Sequence, residues 1–240
     1  MAAFLNACRR GDLAEAQRLF SLGGVDIHTA DDDAFRWACG NGHFMVAQWL
    51  FSLGGVNIHV DNDQAFREAC GSGHVVVAQW LYGLGGVNIH AGNDYAFRWA
   101  CGNGHSVVAQ WLYGLGGVNI HANEDFCFRE ACGDGHFVVA QWLYGLGGVN
   151  IHAADDEAFR WACGNGHLVV AQWLLSLGGV NIHAAQDDAF RRACQNRHRG
   201  LGRWLCGLKP EWSWPARGLR ILQAWTPARD AWMRAVLCNR

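Results

Sequence analysis

The sequence predicts an all-α solenoid of seven stacked helix pairs. Three observations carry that prediction: an ungapped 31-residue period, apolar residues at helical spacing inside each period, and glycines where the chain must turn. Six copies share one phase: AFRWACGNGH at 34–43, AFREACGSGH at 65–74, AFRWACGNGH at 96–105, CFREACGDGH at 127–136, AFRWACGNGH at 158–167 and AFRRACQNRH at 189–198. An earlier copy, AFLNACRRGD at 3–12, makes seven.

Each copy reads as two short helices. Asp32 and its equivalents Asp63, Asp94, Asp125, Asp156 and Asp187 are suited to cap the first. Ala34, Phe35, Ala38 and Cys39 then share one face. Gly40-Asn41-Gly42 is expected to stop that helix, and the second follows His43 with Val46, Trp49, Leu50 and Leu53 as its apolar stripe. Gly54-Gly55 ends it. Neither helix is long enough to stand alone, because nucleation is costly. Stacking neighbours buries the shared faces.

Composition and charge narrow the function. The chain has 240 residues, half of them apolar, with 31 glycines. No run of 18 apolar residues exists to cross a membrane, and no signal-like apolar core precedes the first charges, so the cytoplasm, the nucleus or a host cytosol is expected. Residues 1–188 carry eight arginines against nineteen acids, a net charge of −11, whereas residues 189–240 carry +9. Seven cysteines recur every 31 residues. Neighbouring copies roughly 8–10 Å apart would hold them beyond the ~7 Å reach of a disulfide, so buried thiols are expected.

The side chains capable of chemistry follow the repeat. All twelve histidines fall at the phases of His28 and His43. The Cys39–His43 spacing resembles half a zinc site, but four ligands must converge at about 2.0–2.3 Å and the next pair lies a full repeat away. These rings are expected to bond backbone at the turns and into the next repeat. The chain has no phosphate-binding loop, nucleophile elbow or metalloprotease motif. The sequence therefore implies no enzyme, metal, cofactor or small-molecule substrate. Arg36 and its five equivalents lie four residues after the capping aspartate, spaced to pair with it or with the adjacent repeat. The tryptophans at the phase of Trp49 are expected in the core.

The segment FRWACGNGH, followed by VVAQWL in later copies, resembles the ankyrin repeat. Phe35 stands where the family has Leu, Arg36 where it has His, Ala38-Cys39 where it has two Ala, and Gly42-His43 match its Gly-His turn. The resemblance covers residues 1 to about 208. The family's Thr-Pro is absent and the unit is 31 residues rather than 33, which implies shortened inter-repeat turns. This shortened form looks like ankyrin arrays of giant DNA viruses and some protists.

The resemblance implies non-enzymatic protein–protein interaction, with the turn and first helix lining a concave recognition face. Positions that vary between copies are the candidates: Trp37, Glu68, Asn93, Tyr95, Trp99, Glu124, Phe126, Glu130, Glu157 and Trp161. Exposed aromatic residues are the types enriched at binding hot spots. The alternative for Trp37, Trp99 and Trp161 is burial between helices, with their alternation recording duplication of a two-repeat block.

The expected organisation is an N-terminal capping repeat (1–32), five repeats (33–188), a degenerate last repeat (189–208) and a basic, Trp-rich segment (209–240). That last segment reads as a helical cap or as a docking tail. A tail could recruit a second machinery of the ubiquitin-ligase type, as ankyrin adaptors often do, or contact membrane or nucleic acid; neither of those two surfaces is the expected partner. The expected partner is an unidentified protein, bound by a monomer.

Overall fold

In the computed structural model, residues 1–208 are described; the basic tail expected at 209–240 lies outside them. Fourteen α-helices and no strand occur among the described residues. The first helices of the pairs are α1 (Ala2–Arg10), α3 (Thr29–Gly40), α5 (Val60–Gly71), α7 (Ala91–Gly102), α9 (Ala122–Gly133), α11 (Ala153–Asn165) and α13 (Ala184–Gln195). The second helices are α2 (Leu13–Ser21), α4 (Phe44–Ser52), α6 (Val75–Gly83), α8 (Ser106–Leu115), α10 (Phe137–Gly145), α12 (Leu168–Leu177) and α14 (Arg199–Leu208).

These helices form two compact units, Met1–Asn119 and the chain from Ile120. In the first, α1, α3, α5 and α7 pack in series and each is backed by its own second helix. In the second, α9, α11 and α13 do the same with α10, α12 and α14. This is the helix-pair stack that the period predicted.

The core repeats with the sequence. The phenylalanine of every first helix, from Phe4 to Phe190, is buried, as are the seven periodic cysteines. Each buried phenylalanine contributes about 1.5–3 kcal/mol by leaving water. Alanines flank them because two helix backbones approach there.

The second helices differ from expectation. Val46, Ala47 and Leu50 are buried, but Leu53 is exposed and Trp49 is only half-buried. The same holds for Trp80, Trp111, Trp142, Trp173 and Trp204. Instead of filling the core, each indole for which a ring contact is resolved seals the seam to the preceding repeat. Trp80 meets Phe35 at 6.1 Å and Phe51 edge-on at 5.7 Å, and Trp173 meets Phe128 at 6.1 Å and Tyr144 at 5.7 Å. Such edge-to-face contacts add to the area they bury.

Each first helix from α3 onward opens with a left-handed turn. In α5, Asp61, Asn62 and Asp63 all have φ between 50 and 61° before the right-handed helix begins. A non-glycine residue pays roughly 1–2 kcal/mol for this conformation, so three in a row need compensation.

The aspartate at the end of the turn provides much of it. His59 Nδ1 donates to Asp63 Oδ1 at 2.6 Å, and the Asn88 N–H of the next repeat donates to Asp63 Oδ2 at 2.9 Å. The expected N-cap role is thereby corrected: the carboxylate ties one turn to the next. It does not pair with the arginine four residues on, either. That guanidinium closes over the turn instead, with Arg67 Nε and Nη2 donating to the carbonyls of Asn62 and Asp61 at 2.9 and 2.5 Å.

The first helix stops at the expected glycines: Gly42 takes φ 77°, Asn41 is the C-cap and the last helical residue is Gly40. At the equivalent Gly71, an added Cβ would lie 2.4 Å from the Trp99 ring. That glycine marks a close approach by the following repeat.

Candidate functional site

The two histidine phases play different parts. The ring of His43 donates through Nε2 to Arg9 O at 2.9 Å in the preceding repeat, so this phase bonds backbone across the seam as expected. The His28 phase does not: its rings bind the turn carboxylates, as His152 does Asp156 at 2.6 Å. Asparagines complete the seam, with Asn103 Nδ2 donating to Gly71 O at 2.7 Å and Asn165 Nδ2 to Gly133 O at 2.7 Å. These bonds satisfy carbonyls that a helix end leaves without partners.

The thiols are equally committed to structure. Burial pushes Cys8 up to about 11 and Cys194 up to about 12, and it raises Cys39, Cys70, Cys132 and Cys163 still further. A thiol held protonated is a poor nucleophile and a poor metal ligand. Among the described residues, no three His, Cys, Asp or Glu side chains converge as a metal site would require.

The candidate recognition residues distribute over both compact units. Trp37, Glu68, Asn93, Tyr95 and Trp99 lie in the first; Glu124, Phe126, Glu130, Glu157 and Trp161 lie in the second. Neither alternative for the periodic tryptophans is complete. Trp99 is 37 % exposed, Trp37 and Trp161 are half-buried, and Trp99 and Trp161 rest on Gly71 and Gly133 of the preceding repeat. Glu68 covers Gly40 in the same manner and accepts from Gln64 Nε2 at 2.6 Å. Asn93 and Glu124 are exposed on left-handed turns, and their carbonyls accept from Arg98 and Arg129 at 2.9 Å.

Two clusters form. In the first unit, Tyr95 packs against Trp99 with ring centroids 5.2 Å apart, and the guanidiniums of Arg67 and Arg98 approach the Tyr95 ring at 5.2 and 5.8 Å. In the second, Arg129 lies 5.8 Å from the Phe126 ring and pairs with Glu157. Reading the arginines as one uniform ladder missed the difference between these clusters. The signal was present in the residue 28 positions further on, which is Tyr95 after Arg67 and Glu157 after Arg129.

Paired helices, glycine turns and side-chain ties between repeats define a helix-pair repeat solenoid. The particular fold is that of an ankyrin repeat domain. The ankyrin repeat domain of human ASB11 is similar, with a TM-score of 0.54 and 19% sequence identity over 79% of this chain and 96% of that one. No family model matches the sequence, and no curated protein matches it.

Proposed function

We propose that the chain is a non-catalytic scaffold, monomeric and cytoplasmic, that captures a partner protein on the surface made by its first helices and left-handed turns. One observation carries the reading. Within the repeat, the turn and the outer face of the first helix hold aromatic and charged residues that change from copy to copy, as at Trp37, Glu68, Trp99, Glu130 and Trp161, while the buried Phe, Ala and Cys of that helix stay nearly constant. A stack needs only the constant positions. The variable ones bring aromatic and charged groups to a pre-ordered surface, so little ordering entropy opposes binding.

The test is capture of the native partner by a variant with alanine at Tyr95, Trp99, Phe126 and Glu130. Capture is lost while the helical circular dichroism signal stays unchanged. Undiminished capture would place recognition elsewhere.

The charge reversal supports a second role for residues 209–240, which belong to the +9 region. That segment would dock a second machinery, making the repeats a substrate adaptor, or contact an anionic membrane or nucleic acid. Binding that falls steeply with salt and disappears on deletion of 209–240 is the expected result.

A further inference from the structure

The arginines of the first helices differ at one nitrogen. Arg36 places Nη1 on Gln64 Oε1 at 2.6 Å, Arg160 places it on Asp188 Oδ2 at 3.1 Å, and Arg129 places it on Glu157 Oε2. In each case the acceptor lies 28 residues further on, in the next repeat. Arg67 has Tyr95 at that offset, and Arg98 has Phe126. Neither of those side chains supplies a carboxylate.

Arg67 and Arg98 are nevertheless held in place. Their Nε and Nη2 atoms clasp the turn carbonyls of Asn62 and Asp61, and of Asn93 and Gly92, at 2.5–3.0 Å. Among the described residues, neither Nη1 makes a hydrogen bond and neither guanidinium is in a salt bridge. The buried side-chain atoms lacking a partner among the described residues are Arg36 Nε and Arg191 Nε, so the two Nη1 atoms are not sealed in the core. Both cations flank Tyr95, beside the 37 % exposed Trp99.

We propose that Arg67, Tyr95, Arg98 and Trp99 form an anchor for an acidic–aromatic peptide segment of the partner. A Glu or Asp carboxylate of the peptide accepts from the open Nη1 atoms, and a neighbouring aromatic residue packs on Trp99. The sister repeats show which group fits this nitrogen: the carboxylates of Glu157 and Asp188 already occupy it there. Charge favours a short peptide over a nucleic acid. Residues 1–188 carry −11, which repels a polyanion but leaves room for one or two carboxylates at a local cationic pair. The inference rests on the scaffold reading and names the partner's chemistry.

The test uses the full chain and NMR of its indole and arginine Nε–H signals. The probes are acetyl-Ser-Glu-Phe-Glu-Ser-amide and the same peptide with Gln for Glu. The Trp99 indole is assigned by its disappearance in Trp99→Glu, a change the fold accommodates because Glu68 and Glu130 occupy that phase. The acidic peptide shifts the Trp99 indole, less so at high salt, and the neutral peptide does not.

Tyr95→Glu restores the acceptor of the sister repeats and touches no turn contact. It weakens binding about tenfold or more without lowering the urea midpoint. Absence of a shift, equal shifts from both peptides, undiminished binding by Tyr95→Glu, or tighter binding of a single-stranded RNA oligonucleotide at the same indole each overturns the anchor. Native-partner capture that survives Tyr95→Glu but not Phe126→Ala sinks the anchor and leaves the scaffold. Capture that survives every recognition-face substitution sinks the scaffold.

Discussion

Gly42 and Gly85 have φ of +77° and +92°, yet their surroundings differ. A Cβ on Gly42 would lie 2.4 Å from His74 Nδ1, whereas a Cβ on Gly85 would meet nothing within 4 Å. Gly85→Ala is therefore expected to cost only the left-handed penalty of about 1–2 kcal/mol. Gly42→Ala adds displacement of the His74 ring and loss of its bond to Gly40, worth about 1 kcal/mol more. Urea denaturation of the two variants checks the difference; equal losses would show that the ring yields freely. Asp63 is the polar counterpart. Asp63→Ala strands the His59 ring and the Asn88 N–H, and hydrogen bonds to a charged group are worth about 1.5–3 kcal/mol each. A loss of about 3 kcal/mol is expected, and one below 1 kcal/mol would mean the turn is held by the arginine clasp alone. The period in the sequence placed Asp63, His59 and Gly42 at structural phases, but spacing could not say which partner each would choose. His59 and Asp63 meet within one turn, whereas Asn88 lies 25 residues from Asp63 and His74 sits against Gly42 from the following repeat.

At the scale of elements, the helix pairs were legible because two signals coincide: apolar residues at 3.6-residue spacing and glycine at the helix–helix turn. The left-handed turn was not legible. Its residues are ordinary in composition (Ala154, Asp155, Asp156), and tertiary ties to the aspartate and arginine overrule their local preference. Only one copy gives a hint, Gly92, which takes φ 64° where Ala154 takes 50°. Gly tolerates that conformation at no steric cost but loses more entropy on folding. Ala154→Gly is thus expected to stabilise the protein by roughly 0.5–1 kcal/mol, the left-handed penalty less the glycine entropy. A lower thermal midpoint would show that the turn is not strained. The second helices misled for a related reason. A tryptophan on an apolar stripe implies burial, but in a stack the stripe faces both the core and the preceding repeat, and the Trp49 phase belongs to that seam.

At the scale of the whole molecule, the burial of a few histidines and thiols shapes the pH response. Burial, reinforced by the charges of His105 and His43, lowers His74 from its ordinary 6.5; burial likewise lowers His167, with His136 and His198 adding to it against the opposing pull of Asp134. The unfolded chain then takes up protons first as pH falls, so this part of the stability is complete above 6.5 and is lost as pH drops towards the folded values. The thiols act in the other direction. Burial holds Cys8 and Cys206 at about 11 and Cys194 at about 12 against an ordinary 9.0, so their contribution is complete below 9.0 and is lost as pH climbs through the folded values. A urea midpoint that is level between these limits and declines on both sides is expected. His74→Gln flattens the acid limb and Cys194→Ala the alkaline one, each leaving the other limb in place. A midpoint that slopes steadily from pH 7 to 9, or limbs unmoved by those substitutions, would mean that charges outside the repeat seams govern stability.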